Sequence, residues 1–455
     1  MPTQAATEQR ASWPKLLQAS AAGVLAFAAG QALFGNAQAT LIGMLTLLVV
    51  LWTNEGLPLG AVSLLPLILF PALGIADMPA VASSYANPII FLFIGGFMLA
   101  IAVETTGLHK QIAYRILAVF PHTARGMIFA LALVSGLLST FLSNTTTTLL
   151  LMPLAMFLTD QRRLNVRFAL AIAYGASIGG VITPIGTPPN LILLGFLGQH
   201  GLAAPTFVQW VALVSPLALA MFLVMGTLLS FGLGGNKVDA PETSGRLDPA
   251  QRRLALTLLA LLVLLLANSP VRPLYPGLGL DERAILLAFG LSTLLPGFGV
   301  LTWQDCRRIP YEIVLLFGAG FAIAHAFDTT GLADASGSLL MALTELDLWL
   351  LLLAIALLVT FATEITSNTA LIAMMLPVVY ALTGSGAIDP ILFLLVATIC
   401  SSYAFMLPIA TPPNAIAVAS GAVRPSDMLR FGLLLNLCAS LLITAFALAY
   451  WQYVL

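Results

Sequence analysis

Charge is what this sequence has least of. Its 455 residues include 18 lysines and arginines and 19 aspartates and glutamates, 8% in all, against 60% hydrophobic residues and a mean hydropathy of +1.01. So few charges cannot cover a water-soluble protein of this size, which excludes a soluble multidomain enzyme and points to a polytopic membrane protein. No basic cluster suggests a nucleic-acid partner, and a net charge of −1 names no partner at all. Cysteine is equally scarce. Cys306, Cys400 and Cys438 are spaced too widely for a metal-ligand pattern or a disulfide framework and read as packing residues. No His-Glu metal motif, Gly-x-Ser-x-Gly or nucleotide loop stands in a plausible setting, which disfavours an enzyme or an ATP-driven pump. The polar stretch Met1 to Lys15 has no signal-peptide h-region of its own, so the first apolar stretch reads as a retained helix.

What the chain has in abundance is apolar stretches of the roughly 17–25 residues that cross a hydrocarbon core. Spans are expected near 15–35, 37–53, 58–74, 87–106, 207–231, 254–268 and 284–299, with another from Tyr311 and a last one ending at Leu455. His109 to His122 is amphipathic and suits the interface plane. Gly126 to Thr159 is long for one span and holds five polar residues at Asn144 to Thr148, which a re-entrant hairpin explains better. Phe168 to Gly198 is interrupted by Thr183-Pro184, Gly186 and Pro188-Pro189, which break a helix in mid-membrane. A second hairpin is expected over about 349–382 and a second broken helix over about 391–422. Eleven spans and two hairpins result. The divisions are 1–86 and 254–310 as scaffold helices, 87–231 and 311–455 as repeat cores, and 232–253 as a cytoplasmic linker.

The polar words come in pairs. Ser-Asn-Thr stands at Ser143 to Thr145 and again at Ser367 to Thr369, and Thr-Pro-Pro-Asn at Thr187 to Asn190 and Thr411 to Asn414. Both pairs are 224 residues apart, as is Thr-Thr-Gly-Leu at Thr105 and Thr329, so the chain is an internal duplication. Its flanking charge changes sign. His109, Lys110 and Arg115 follow the first Thr-Thr-Gly-Leu, whereas Asp334, Glu345 and Asp347 follow the second, the mark of an inverted copy. With the N-terminus in the cytoplasm, 16 of the 18 basic residues fall inside, only Arg272 and Arg283 falling outside. The expectation is an inner-membrane protein with a cytoplasmic N-terminus and an external C-terminus.

Serine and threonine in membrane helices often only bond backward or glue helices together. Duplication at fixed register, each copy followed by a proline-broken helix, favours a binding role instead. Hydroxyls, carboxamides and freed carbonyls at a hairpin tip suit a hard cation such as Na⁺, and the N–H groups opening the next half-helix suit an anion. Two inverted tips would meet near the midplane and enclose one substrate. No Arg or Lys lies near the four motifs. Dipoles, hydroxyls and co-bound cations would therefore have to neutralise an anion held there. Of the ionisable groups in spans, Glu104 and Asp328 sit near span ends where interfacial solvation suffices, and His325 has no counterpart in the first half, where Ile101 stands. Glu364, beside a tip, reads as holding it by hydrogen bonds.

The doubled Ser-Asn-Thr and Thr-Pro-Pro-Asn make the sequence resemble, over essentially its whole length, the divalent anion/sodium symporter family of bacterial dicarboxylate transporters and animal citrate and dicarboxylate carriers. The resemblance implies a homodimer in the lipid membrane whose transport domains move like elevators. It implies one Na⁺ site at Ser139, Ser143, Asn144 and Gly186 and a second at Thr363, Asn368 and Ala410. Substrate carboxylates would be contacted by Asn144, Thr145, Ser367, Asn368 and Thr369. Na⁺-coupled uptake of a C4 dicarboxylate is the expected activity. A Na⁺-independent exchanger of the same family, a sulfate or other anion carrier, an arsenite or magnesium–citrate carrier, and an anion channel are the alternatives.

Overall fold

The computed structural model describes residues 12–455 apart from 160, 234–237, 239–244, 271–274, 333–334, 336–346 and 384–388. Arg10, Lys237, Arg272, Asp334 and Glu345, used above to orient the chain, lie outside the described residues. The described elements are helical. Among the described residues, six helices are long and apolar enough to cross a membrane.

Helices α1 (Trp13–Gln31) and α2 (Asn36–Asn54) pack as a pair around Gly23 and Gly43, where a methyl group on Gly23 would lie 2.9 Å from the Gly43 carbonyl. They form a separate core with α3 (Leu59–Ala72) and part of α14 (Tyr311–Thr330). A short α4 (Met78–Ser84) leads into α5 (Pro88–Thr106), which starts on an Asn87 cap. Next comes α6 (Leu108–Val119), which turns Leu108, His109, Ala113 and Leu117 inward, as the amphipathic pattern requires.

Both hairpins and both helix breaks are present. The first hairpin is α7 (Ala124–Ser139) and α8 (Asn144–Phe157), followed by the broken helix α9 (Arg162–Gly180) and α10 (Pro188–Gln199) and then α11 (Phe207–Ser230). After α12 (Pro249–Asn268), α13 (Glu282–Ser292) and α14, the order recurs. A second hairpin, α15 (Leu348–Ala362) and α16 (Asn368–Leu382), precedes a second broken helix, α17 (Pro390–Ser402) and α18 (Pro412–Ala419), and the long α19 (Pro425–Phe446). The repeat register survives folding to the residue. Helices α8 and α16 start 224 residues apart on serine caps, and α10 and α18 start 224 apart on threonine caps with proline next.

Three boundaries differ most from the hydropathy reading. Helix α9 starts at Arg162 rather than Phe168 because its arginines find backbone partners: Arg163 donates to the Gly232 carbonyl at 3.0 Å, and buried Arg167 to those of Leu229 and Phe231. Helix α12 starts five residues earlier than expected, at a capping box formed by Asp248 and Gln251. Helix α13 ends at Ser292, not 299. Beyond it the chain folds back so that the Val300 N–H reaches the Thr293 carbonyl at 2.8 Å, and Pro296-Gly297 stands in that turn.

What positions the site is the backbone contact of α7 with α9. Gly179 lies so close that an added methyl group would sit 2.1 Å from the Gly136 carbonyl. Nearby, the Ser135 hydroxyl donates to the Ile172 carbonyl at 2.7 Å. Small residues allow this approach where lipid tails supply no hydrophobic drive between helices, and it brings the first tip against the first break.

Candidate functional site

Both tips and both breaks open onto one cavity of about 770 Å³. Ser143, Asn144 and Thr145 line it from the first tip and Ser367, Asn368 and Thr369 from the second. Gly186 and Thr187 line it from the first break, Ala410 and Thr411 from the second. The helix starts explain why these residues face an opening. α8, α10, α16 and α18 all begin at the cavity, so the positive ends of four helix dipoles point to it, while the first-turn N–H groups come from α8 and α16, because α10 and α18 open on Pro188-Pro189 and Pro412-Pro413. No lysine, arginine or histidine is among the described residues that line it.

Beside the tips, the same hydroxyl-to-carboxamide bond occurs twice. The buried Ser139 hydroxyl donates to Asn144 Oδ1, and the buried Thr363 hydroxyl lies 2.6 Å from Asn368 Oδ1, with the Ser401 carbonyl as a second acceptor at 2.7 Å. Gly186 closes the first group. A methyl group there would lie 2.8 Å from the Ser139 carbonyl and 2.4 Å from that of Gly180, so only glycine lets the break approach the tip. Ser139, Asn144 and Gly186 are therefore brought together, with Ser143 as the cap whose Oγ accepts from the Thr146 N–H at 3.1 Å. These donors are neutral oxygens, a set that suits a hard monovalent cation.

The second tip has a brace that the first lacks. Glu364, 2% exposed, accepts the Met406 and Leu407 N–H groups at 2.8 and 2.9 Å and the Asn436 amide at 2.6 Å. It thus holds the tip to the second break, as its position suggested. At the equivalent place in the first half stands Thr140, whose carbonyl accepts from the Thr183 hydroxyl.

Residues remote in sequence complete the walls. Trp52, Glu55, Phe93, Phe97 and Glu312 line the cavity, and nothing in the spacing of the motifs marked them. The structure also corrects the account of Glu104 and Asp328 as groups kept by solvation alone. Glu104 pairs with Arg308, which donates to Thr105 at 3.1 Å, and Asp328 lies 3.3 Å from His200 Nε2. His325 lies with Asp328 at a separate cavity of about 320 Å³, away from the motifs.

The model of the citrate transporter family matches residues 47–398, most of the chain. The chain belongs to that family. Its relatives include the sodium-dependent high-affinity dicarboxylate transporter 3 of Caenorhabditis elegans, 30% identical over 86% of this chain and 79% of that one. The sodium-dependent dicarboxylate transporter SdcS of Staphylococcus saprophyticus is 29% identical over 86% of this chain and 82% of that one. Among solved structures, MtrF of Neisseria gonorrhoeae has a TM-score of 0.61 at 16% identity, with 93% of this chain and 97% of that one covered. The YdaH transporter of Alcanivorax borkumensis has a TM-score of 0.56 at 15% identity, with 81% and 88% covered. At such identities these two show the fold alone. As a member of the citrate transporter family, the chain is a membrane-embedded transporter and not an enzyme.

Proposed function

We propose that this protein carries a C4 dicarboxylate such as succinate or malate across the inner membrane by symport with Na⁺. The observation that carries the reading is the one cavity lined by both Ser-Asn-Thr tips and both Thr-Pro-Pro-Asn helix starts, with no basic side chain among the described residues that line it. Asn144, Thr145, Ser367, Asn368 and Thr369 hold the substrate carboxylates, helped by the first-turn N–H groups and helix dipoles. Ser139, Ser143, Asn144 and Gly186 hold one Na⁺, and Thr363, Asn368 and Ala410 a second. With no arginine to pair a dianion, the cations offset its charge, so more than one Na⁺ moves per substrate. The sodium-dependent dicarboxylate relatives support this assignment.

The repeats are inverted, eleven spans cross the bilayer, and the protein is a homodimer. In each protomer 1–86 and 254–310 belong to a static scaffold, while the repeat cores 87–231 and 311–455, joined by the linker 232–253, supply the tips and breaks that move as an elevator. The cavity reaches Trp52 to Leu59 and Pro310 to Glu312, at helix ends that the basic loops assign to the cytoplasm. The arrangement is therefore inward-open.

Uptake of labelled succinate into proteoliposomes tests the function. An inward Na⁺ gradient should drive accumulation, and choline in place of Na⁺ should abolish it. Uptake that persists without Na⁺ and is supported by internal dicarboxylate would instead make the protein an exchanger. Topology has its own test in a background free of Cys306, Cys400 and Cys438. Cysteines near Arg163 and Lys237 should label only from the cytoplasm, and those near Arg272 and Asp347 only from outside. A cysteine beside Asn144 should be reached from one side and then the other as Na⁺ or succinate is varied. Access from both sides in one state would mean a continuous pore.

A further inference from the structure

The asparagines that end the two Thr-Pro-Pro-Asn words hydrogen-bond to neither tip among the described residues and do not line the cavity, yet both are fully buried. Two of their bonds match between the halves. Asn190 Nδ2 donates to the Thr183 carbonyl at 2.8 Å, with the Gly180 carbonyl at 3.5 Å and that of Val181 at 3.4 Å. Asn414 Nδ2 donates to the Leu407 and Ala404 carbonyls, both at 3.0 Å. Residues 180 and 404, 183 and 407, and 190 and 414 are each related by the repeat offset. The carboxamide oxygens of both have no hydrogen-bond partner among the described residues, so each side chain acts there only as a donor.

The carbonyls it reaches lie at or just beyond the C-terminal end of the first half-helix, outside its regular ladder, where a bilayer cannot solvate them. One of them does a second job. The Thr183 carbonyl also accepts the Gly186 N–H at 3.3 Å, and the Leu407 carbonyl the Ala410 N–H at 3.2 Å. The side chain and the turn carrying Gly186 or Ala410 are thus fixed to the same oxygen, in both halves.

We propose that Asn190 and Asn414 are matched positioning residues: each clasps the backbone of its helix break and sets the turn that offers the Gly186 or Ala410 carbonyl to a coupling cation. The cation part rests on the sodium sites proposed above, whereas the clasp rests on the hydrogen bonds alone. Two separate clasps imply two separate effects. Loss of one should loosen its own break and weaken its own cation site, leaving the other half unchanged.

The test uses full-length Asn190→Ala and Asn414→Ala, with Asn190→Ser and Asn414→Ser as milder variants that keep one donor and guard against misfolding. Amide hydrogen exchange of purified protein without Na⁺ should rise in 181–187 for the Asn190 variants and in 405–411 for the Asn414 variants, each at least tenfold and in its own break only. Exchange unchanged in that break, or raised equally in both, overturns the clasp. In proteoliposomes the Na⁺ concentration for half-maximal succinate uptake should rise at least fivefold for each alanine variant. The succinate KM at saturating Na⁺ should move less than twofold, and the serine variants should fall between alanine and wild type. A raised KM with an unchanged Na⁺ curve overturns the cation role. If wild-type uptake ignores Na⁺ altogether, the symport reading fails, and the exchange data still decide the clasp.

Discussion

Alanine at Asn144 or Asn368 should reduce succinate transport to near background while the protein still expresses and assembles. Each carboxamide faces the cavity at the first residue of its half-helix and also accepts a buried hydroxyl, Ser139 in one tip and Thr363 in the other. Truncation removes a substrate-facing group and a proposed cation ligand together. A hydrogen bond to a charged group contributes roughly 1.5–3 kcal/mol, about one to two decades of affinity, and here both solutes lose a contact. Both residues are half-buried at a cavity wall, so little packing goes with them. The contrast is Glu104→Gln. Its ion pair with Arg308 is partly exposed, such pairs contribute about 0–1 kcal/mol, and the variant should transport nearly normally. Saturable uptake with wild-type succinate and Na⁺ dependence in either asparagine variant would remove the tips from the binding site.

The tips and breaks were legible because polar and proline-rich words are out of place in apolar sequence, and repetition at one offset marked which of them mattered. Ser139, Gly186, Thr363 and Ala410 were reached through the family resemblance, and the offset independently pairs Ser139 with Thr363 and Gly186 with Ala410. In the fold Ser139 and Thr363 make matching bonds. The walls were not legible. Glu312 opens α14 and Glu55 follows α2, and only tertiary packing sets them at one cavity. Thr105 and Arg308 are 203 residues apart, a pairing that local spacing cannot encode. Helix ends went wrong where hydropathy was read as length: the arginines of α9 belong to the helix because distant carbonyls receive them, and apolar residues after α13 belong to a turn. Those errors lie away from the tips, where the sequence signal is chemical rather than hydrophobic.

Glu364→Gln should cost transport at least as much as the tip asparagines, but for a different reason. The carboxylate has two oxygens, and both are used: Oε1 accepts from the Met406 N–H and the Asn436 amide, Oε2 from the Leu407 N–H. Asn436 in turn accepts the Phe405 N–H at 3.2 Å, so one acid and one amide satisfy three consecutive N–H groups of the second break. A glutamine of the same shape keeps one acceptor and presents an NH₂ group where the other must accept, setting donor against donor. Leaving a buried donor unsatisfied costs about 1–3 kcal/mol, and water cannot compensate around a side chain that is 2% exposed. The break should then lose its shape before any solute binds. Purified Glu364→Gln is therefore expected to unfold at a clearly lower temperature than wild type even without Na⁺ or succinate, with uptake below a hundredth of normal. A carboxylate that acted instead as a direct ligand would leave the temperature of the empty protein unchanged and lower only its rise on adding Na⁺ or succinate. That pattern would move Glu364 from holding the break to binding the solute.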